Sequence, residues 1–113
     1  MIERDEDALA DMVEFASNAI ELLGDLDRAD LEADMRSRFA VIRAVEIVGE
    51  AATRVSDPTR ERLSTLPWRQ IIGMRHMVIH GYDAIKLDVV VDVIRNRLPS
   101  LIAEISKVLG DRK

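Results

Sequence analysis

The chain has 113 residues, 48% of them hydrophobic, 33% charged and only 4% aromatic, with a net charge of −5 and no cysteine. This length allows one domain, residues 1–113, with a modest core. The absence of cysteine excludes disulfides and thiolate sites, and no apolar run approaches the ~20 residues that cross a bilayer. The acidic start MIERDEDALAD is unlike a signal peptide, so a soluble cytoplasmic protein with no membrane contact is expected.

The predicted elements are helices. Leu9, Met12, Val13, Ala16, Ile20 and Leu23 recur at helical spacing, predicting an amphipathic helix from about Glu3 to Leu23 that stops at Gly24. DLDRAD is a polar connection with several possible N-caps. A second helix is expected from about Leu31 to Val55, with Met35, Phe39, Ile42, Val45, Val48 and Ala52 facing inward, ending before Asp57-Pro58. TRERLSTL suggests a short helical turn. Pro67 suits the start of a third helix running to His80 and closed by Gly81. The last helix spans about Leu87 to Leu109, and Pro99 inside it should kink or split it. Nothing signals a strand or a repeat. The expected fold is all-α, a bundle of four to five helices with a proline-kinked last helix.

Charge is unevenly spread. Residues 1–34 hold twelve Asp/Glu against two Arg, whereas residues 35–113 hold nine Asp/Glu against fourteen Arg/Lys. Most of the basic residues are arginine, whose planar fork suits phosphate. Arg36, Arg38, Arg43, Arg69, Arg95 and Arg97 are candidate phosphate contacts, although solvated helix faces would give the same pattern. Glu46 and Glu50 stand one turn apart and are expected to pair with Arg43 or Arg54 or to face solvent. Trp68, at a helix start, is expected to anchor packing.

The two histidines of the whole chain fall inside one stretch, MRHMVIHGYD, residues 74–83. His76 and His80 are four apart, about 40° around a helix, which is the spacing of a helical zinc pair. Met77-Val78-Ile79 fills the gap without a glutamate, Arg75 would repel a cation, and Asp83 is the sole carboxylate nearby, so no metal or other cofactor is expected. A set of Arg75, His76, His80 and Tyr82 beside a helix end suits phosphodiester chemistry on RNA instead. Histidine can move protons at neutral pH, and arginine stabilises the charge growing on phosphorus.

Arg75-His76-Met77-Val78-Ile79-His80-Gly81-Tyr82 resembles the R-x4-H-x-Y signature of the HEPN superfamily, in the form carried by HepT-like ribonuclease toxins. AVIRAVEIVGEAATRVS (residues 40–56) and LPWRQIIGMRHMVIHGYD (residues 66–83) are similar to blocks of that family. The resemblance implies a dimeric helical bundle and a metal-independent endoribonuclease, the toxin partner of a minimal nucleotidyltransferase antitoxin. It implies that Arg75 and His80 are catalytic. His76 stands where the superfamily often has Asn or Asp, and is a supporting residue. It further implies that Tyr82 accepts AMP from the antitoxin, which would switch the enzyme off.

Arg75 and His80 are five residues apart, so on a straight helix they would diverge by about 140° and ~7.5 Å along the axis. Either the helix unwinds at Gly81, or the site is shared between two chains of a homodimer, and the second is preferred. The competing function is an inactive HEPN binding module that partners a nucleotidyltransferase.

Overall fold

The computed structural model describes residues 1–76 and 86–110, and every regular element among them is helical. The protein is all-α, as expected. In chain order the elements are α1 (Glu3–Leu23), α2 (Arg28–Ala33), α3 (Met35–Ala52), α4 (Asp57–Arg62), α5 (Trp68–Gly73), a 3₁₀ turn (Met74–His76), α6 (Leu87–Asp92), a π turn (Val93–Arg97) and α7 (Leu98–Leu109). None of the described helices is long and apolar enough to cross a membrane.

The longest helix, α1, packs against both α3 and α7. Its apolar stripe is buried as the periodicity predicts: Leu9, Met12, Ala16 and Leu23 meet Val41, Val45 and Val48 of α3 and Leu98, Leu101 and Ile105 of α7 in one cluster. Burying each large aliphatic side chain contributes about 1.5–3 kcal/mol. Ile20 departs from the expectation and lies at the exposed edge of the stripe. Gly24 closes α1 with φ +50°, a conformation that costs glycine little, and its N–H reaches the Ile20 carbonyl.

The expected helix from Leu31 to Val55 is two helices. Asp27 and Asp30 form a reciprocal capping box that starts α2. Asp34 breaks the chain in an extended conformation and caps α3, accepting from Arg36 N and from Ser37 Oγ at 2.7 Å. Met35 and Phe39, read as inward from the sequence, are each 57% exposed. The C-terminal end also comes earlier than expected. Bonds of i→i+3 type from Thr53, Arg54 and Val55 tighten the chain after Ala52.

One buried polar hub joins the two ends of this frame. Asp5 on α1 is 1% exposed and accepts from Ser56 N, Ser56 Oγ and Thr59 Oγ1, so a carboxylate from another helix serves the start of α4. Burial alone would push the Asp5 carboxyl up. The hydrogen bonds from Ser56 and Thr59 outweigh it and hold the group below the usual carboxylate range.

Pro99 splits the last helix, as expected, by a particular route. Its nitrogen offers no donor to the Arg95 carbonyl and its ring crowds that turn. The backbone widens over Val93–Arg97, and Leu98 N–H donates to Val93 O, five residues back.

Candidate active site

The Arg75 region is built on α5. Trp68 Nε1 donates to Leu63 O at 3.0 Å, and the Arg60 guanidinium lies 5.7 Å from the ring centroid, so Trp68 is the packing anchor expected. Ile71 and Met74 are buried and tie this segment to the core. The α-helix ends at Gly73, and the chain continues as a 3₁₀ turn rather than as the longer helix expected from Pro67 to His80. Arg75 and His76 stand exposed on that turn.

Gly49 brings α3 up to this turn. A Cβ there would lie 2.6 Å from Arg75 N and 2.8 Å from Ile71 O, contacts that real side chains do not make. The absence of a side chain lets the two backbones touch, and the site is held by the scaffold through its main chain. Sequence reading passed over this residue. The signal was available, since glycine inside a helix costs about 1 kcal/mol against alanine and so points to a close approach.

On the turn, Arg75 Nε donates to His76 Nε2 at 3.1 Å. The acceptor role of Nε2 places the ring proton of His76 on Nδ1 in this arrangement. The contact fixes the plane of the guanidinium, and its Nη groups hold no hydrogen-bond partner among the described residues. A planar fork with open donors, steadied at its root, is suited to a phosphate. His80 and Tyr82, with Gly81 and Asp83, lie outside the described residues, as does the second half of the His76/His80 pair. The α-helix has already given way to the 3₁₀ turn at Met74, so Arg75 does not stand on a straight α-helix.

Near Gly49 on the same helix, Arg43 Nη1 bridges Glu50 Oε1 at 3.1 Å and Glu46 Oε1 at 3.7 Å, the pairing expected for these carboxylates. Arg54 pairs with Asp11 instead. Burial pushes the Glu46 carboxyl up; Arg43 pulls it down and Glu50 adds to the rise. The candidate phosphate contacts are thinned by such pairings. Arg38 donates to the Leu31 and Glu32 carbonyls, Arg95 to the Leu26 carbonyl, and Arg97 pairs with Asp92. Among the described residues no three His, Asp or Glu side chains gather into a metal-sized cluster.

The family model described as Ribonuclease HepT-like matches residues 6–108. The chain belongs to the HepT-like ribonuclease family. It is 33% identical over 109 residues to "Putative RNase MJ1380" of Methanocaldococcus jannaschii, covering 96% of this chain and 100% of that one. It is 32% identical over 102 residues to "Probable ribonuclease HepT" of Thermococcus cleftensis, covering 87% of this chain and 93% of the relative. No solved structure matches the chain significantly. Within this HepT-like protein, the matched span runs from the first turn of α1 through most of α7, including the Arg75 turn and Gly49.

Proposed function

We propose that this HepT-like protein is a metal-independent endoribonuclease, the toxin of a toxin–antitoxin pair whose antitoxin is a minimal nucleotidyltransferase. The observation that carries the reading is the exposed Arg75 guanidinium, steadied by His76, in a chain that matches a ribonuclease family from residue 6 to residue 108. In the proposed step the 2′-hydroxyl oxygen bonds to phosphorus while the bond from phosphorus to the 5′ oxygen breaks. A histidine base takes the hydroxyl proton, an acid protonates the leaving 5′ oxygen, and Arg75 stabilises the extra charge on the phosphoryl oxygens. The products are a 2′,3′-cyclic phosphate and a 5′-hydroxyl end. His80 is the proposed proton-transfer residue and His76 the group that orients Arg75.

A homodimer would supply two copies of His80, one as base and one as acid. Met35 and Phe39 support that assembly. They are exposed apolar side chains within about 80° of Gly49 around α3, hence on the side of the helix that meets the Arg75 turn. Tyr82 is the proposed AMP acceptor. An added phosphodiester there would bring negative charge and bulk next to the arginine and repel RNA.

Purified protein incubated with total RNA and EDTA tests the activity, beside the Arg75→Ala/His80→Ala double variant. Cleavage by the wild type alone, leaving cyclic phosphate ends, is the expected result. No cleavage by the wild type, together with stable binding to the nucleotidyltransferase, would favour the inactive binding module. With the nucleotidyltransferase and ATP, mass spectrometry should show AMP-sized additions on the Tyr82 peptide. Tyr82→Phe should escape them while still cleaving RNA.

A further inference from the structure

A cleft of about 480 Å³ opens between α5 and the rod formed by α6, the π turn and α7. Its size falls among sites of roughly 300–1,000 Å³ that take small ligands. Ile71, Met74, Val93 and Leu101 supply apolar walls, and Met74 places the cleft one residue from Arg75. Gln70, Asn96 and Arg97 supply polar groups at the edge.

Two of these groups, Asn96 and Arg97, are arranged by one carboxylate. Asp92 accepts from Asn96 Nδ2 at 2.8 Å and pairs with Arg97 Nε at 3.6 Å. A carboxylate only accepts, so the amide nitrogen of Asn96 is the atom turned toward it, and Oδ1 remains as an acceptor with no hydrogen bond among the described residues. The geometry comes from the π turn: Asn96 and Arg97 both sit in the widened segment before Pro99. Apolar walls with an amide acceptor and a guanidinium at the rim suit a nucleobase and its phosphate. Sequence-selective RNA binding commonly splays a single-stranded base into such a place and reads its edge.

We infer that this cleft receives one unstacked base of the RNA beside the Arg75 turn, with the Asn96 carbonyl accepting a hydrogen bond from an N–H on the edge of that base. The inference rests on the ribonuclease reading above and adds a base-binding subsite to it. The Asp92 pairing occupies only Nε of Arg97, so its Nη groups are the ones that contact the phosphate of the bound nucleotide, and Asp92 is the positioning residue for both side chains.

Methyl NMR of the full-length protein decides it, with adenosine, cytidine, guanosine and uridine 3′-monophosphates added in turn. Each nucleotide should shift the methyl signals of Ile71, Met74 and Val93, and Asn96→Ala should weaken its binding about fivefold, the effect expected of one hydrogen bond. Asn96 is exposed, so the variant should fold, and unchanged core methyl signals would verify it. Absent shifts with all four nucleotides, or undiminished binding by Asn96→Ala, would overturn the proposal. So would pocket shifts that appear only on raising protein concentration, which would mean that a second copy fills the cleft. Cleavage of a randomised RNA by the wild type but not by Arg75→Ala, measured separately, reports on the ribonuclease reading. The two readings therefore fail independently.

Discussion

Asp5 and Arg75 are both charged residues held by hydrogen bonds, yet they stand in opposite surroundings. Asp5 is 1% exposed and every contact it makes is to groups of the fold itself, Ser56 and Thr59. Arg75 is exposed, uses one nitrogen on His76, and keeps its Nη groups open among the described residues. The difference is one of solvation. A buried ion must spend its bonding capacity inside the protein, because leaving any of it unmet is costly. An exposed guanidinium can leave donors to water and exchange that water for a ligand. Asp5 therefore holds the frame and Arg75 is available for chemistry.

The comparison is easiest to break at Arg75 itself. Arg75→Ala should lower RNA cleavage about 10²–10³-fold, the range for losing one charge-stabilising donor. Its unfolding free energy, from urea titration, should stay within about 0.5 kcal/mol of wild type, as for surface changes generally. A parallel loss of stability would place Arg75 with the frame.

Asp5→Ala should do the reverse. It leaves the donors of Ser56 and Thr59 facing a cavity and should cost about 3 kcal/mol of unfolding free energy, with cleavage per folded molecule unchanged. The wild-type contribution also depends on pH. Because the folded carboxyl titrates below its unfolded value, its stabilisation is complete above the unfolded value and is lost as pH falls through the folded one. Urea titrations from neutral to strongly acid pH should show the gap between wild type and variant closing. A gap independent of pH would exclude the ionised hub.

Gly49 links the two regions, since it belongs to the frame yet touches the Arg75 backbone. Gly49→Ala must displace Arg75 N or Ile71 O, contacts of 2.6 and 2.8 Å that a methyl cannot occupy. Overpacking of this kind should cost about 2 kcal/mol. Cleavage by the remaining folded protein should also fall, which circular dichroism and RNA assays on the same samples would separate. Unchanged cleavage would show that the turn moves without consequence.

The smallest effect is expected at Glu46. Its carboxyl titrates above its ordinary range, chiefly through burial, so its stabilising contribution is present below the unfolded value and lost as pH rises through the folded one. Glu46→Gln should accordingly be more stable than wild type at neutral pH by less than about 1 kcal/mol, with the advantage vanishing in acid. A destabilised variant at neutral pH would mean that the ion pair to Arg43 outweighs the burial.

Helical class, the extent of α1, the stop at Gly24 and the interruption at Pro99 were all legible in the sequence. They depend on near-neighbour effects: a 3.6-residue apolar period, a left-handed glycine and a missing N–H act within one or two turns. The motif around Arg75 and the pairing of Glu46 and Glu50 with Arg43 were readable for the same reason. The break at Asp34 was a local cap that the continuing apolar pattern concealed. Tertiary packing decided the rest. Only the approach of α3 to the Arg75 turn gives Gly49 its purpose, and only the meeting of α1 with the start of α4 turns Asp5, one acid among twelve in the first 34 residues, into a buried hub. The exposure of Met35 and Phe39 was likewise settled by packing rather than by the apolar period. Such facts join residues tens of positions apart in the chain, and no local period or propensity encodes which distant backbone will arrive.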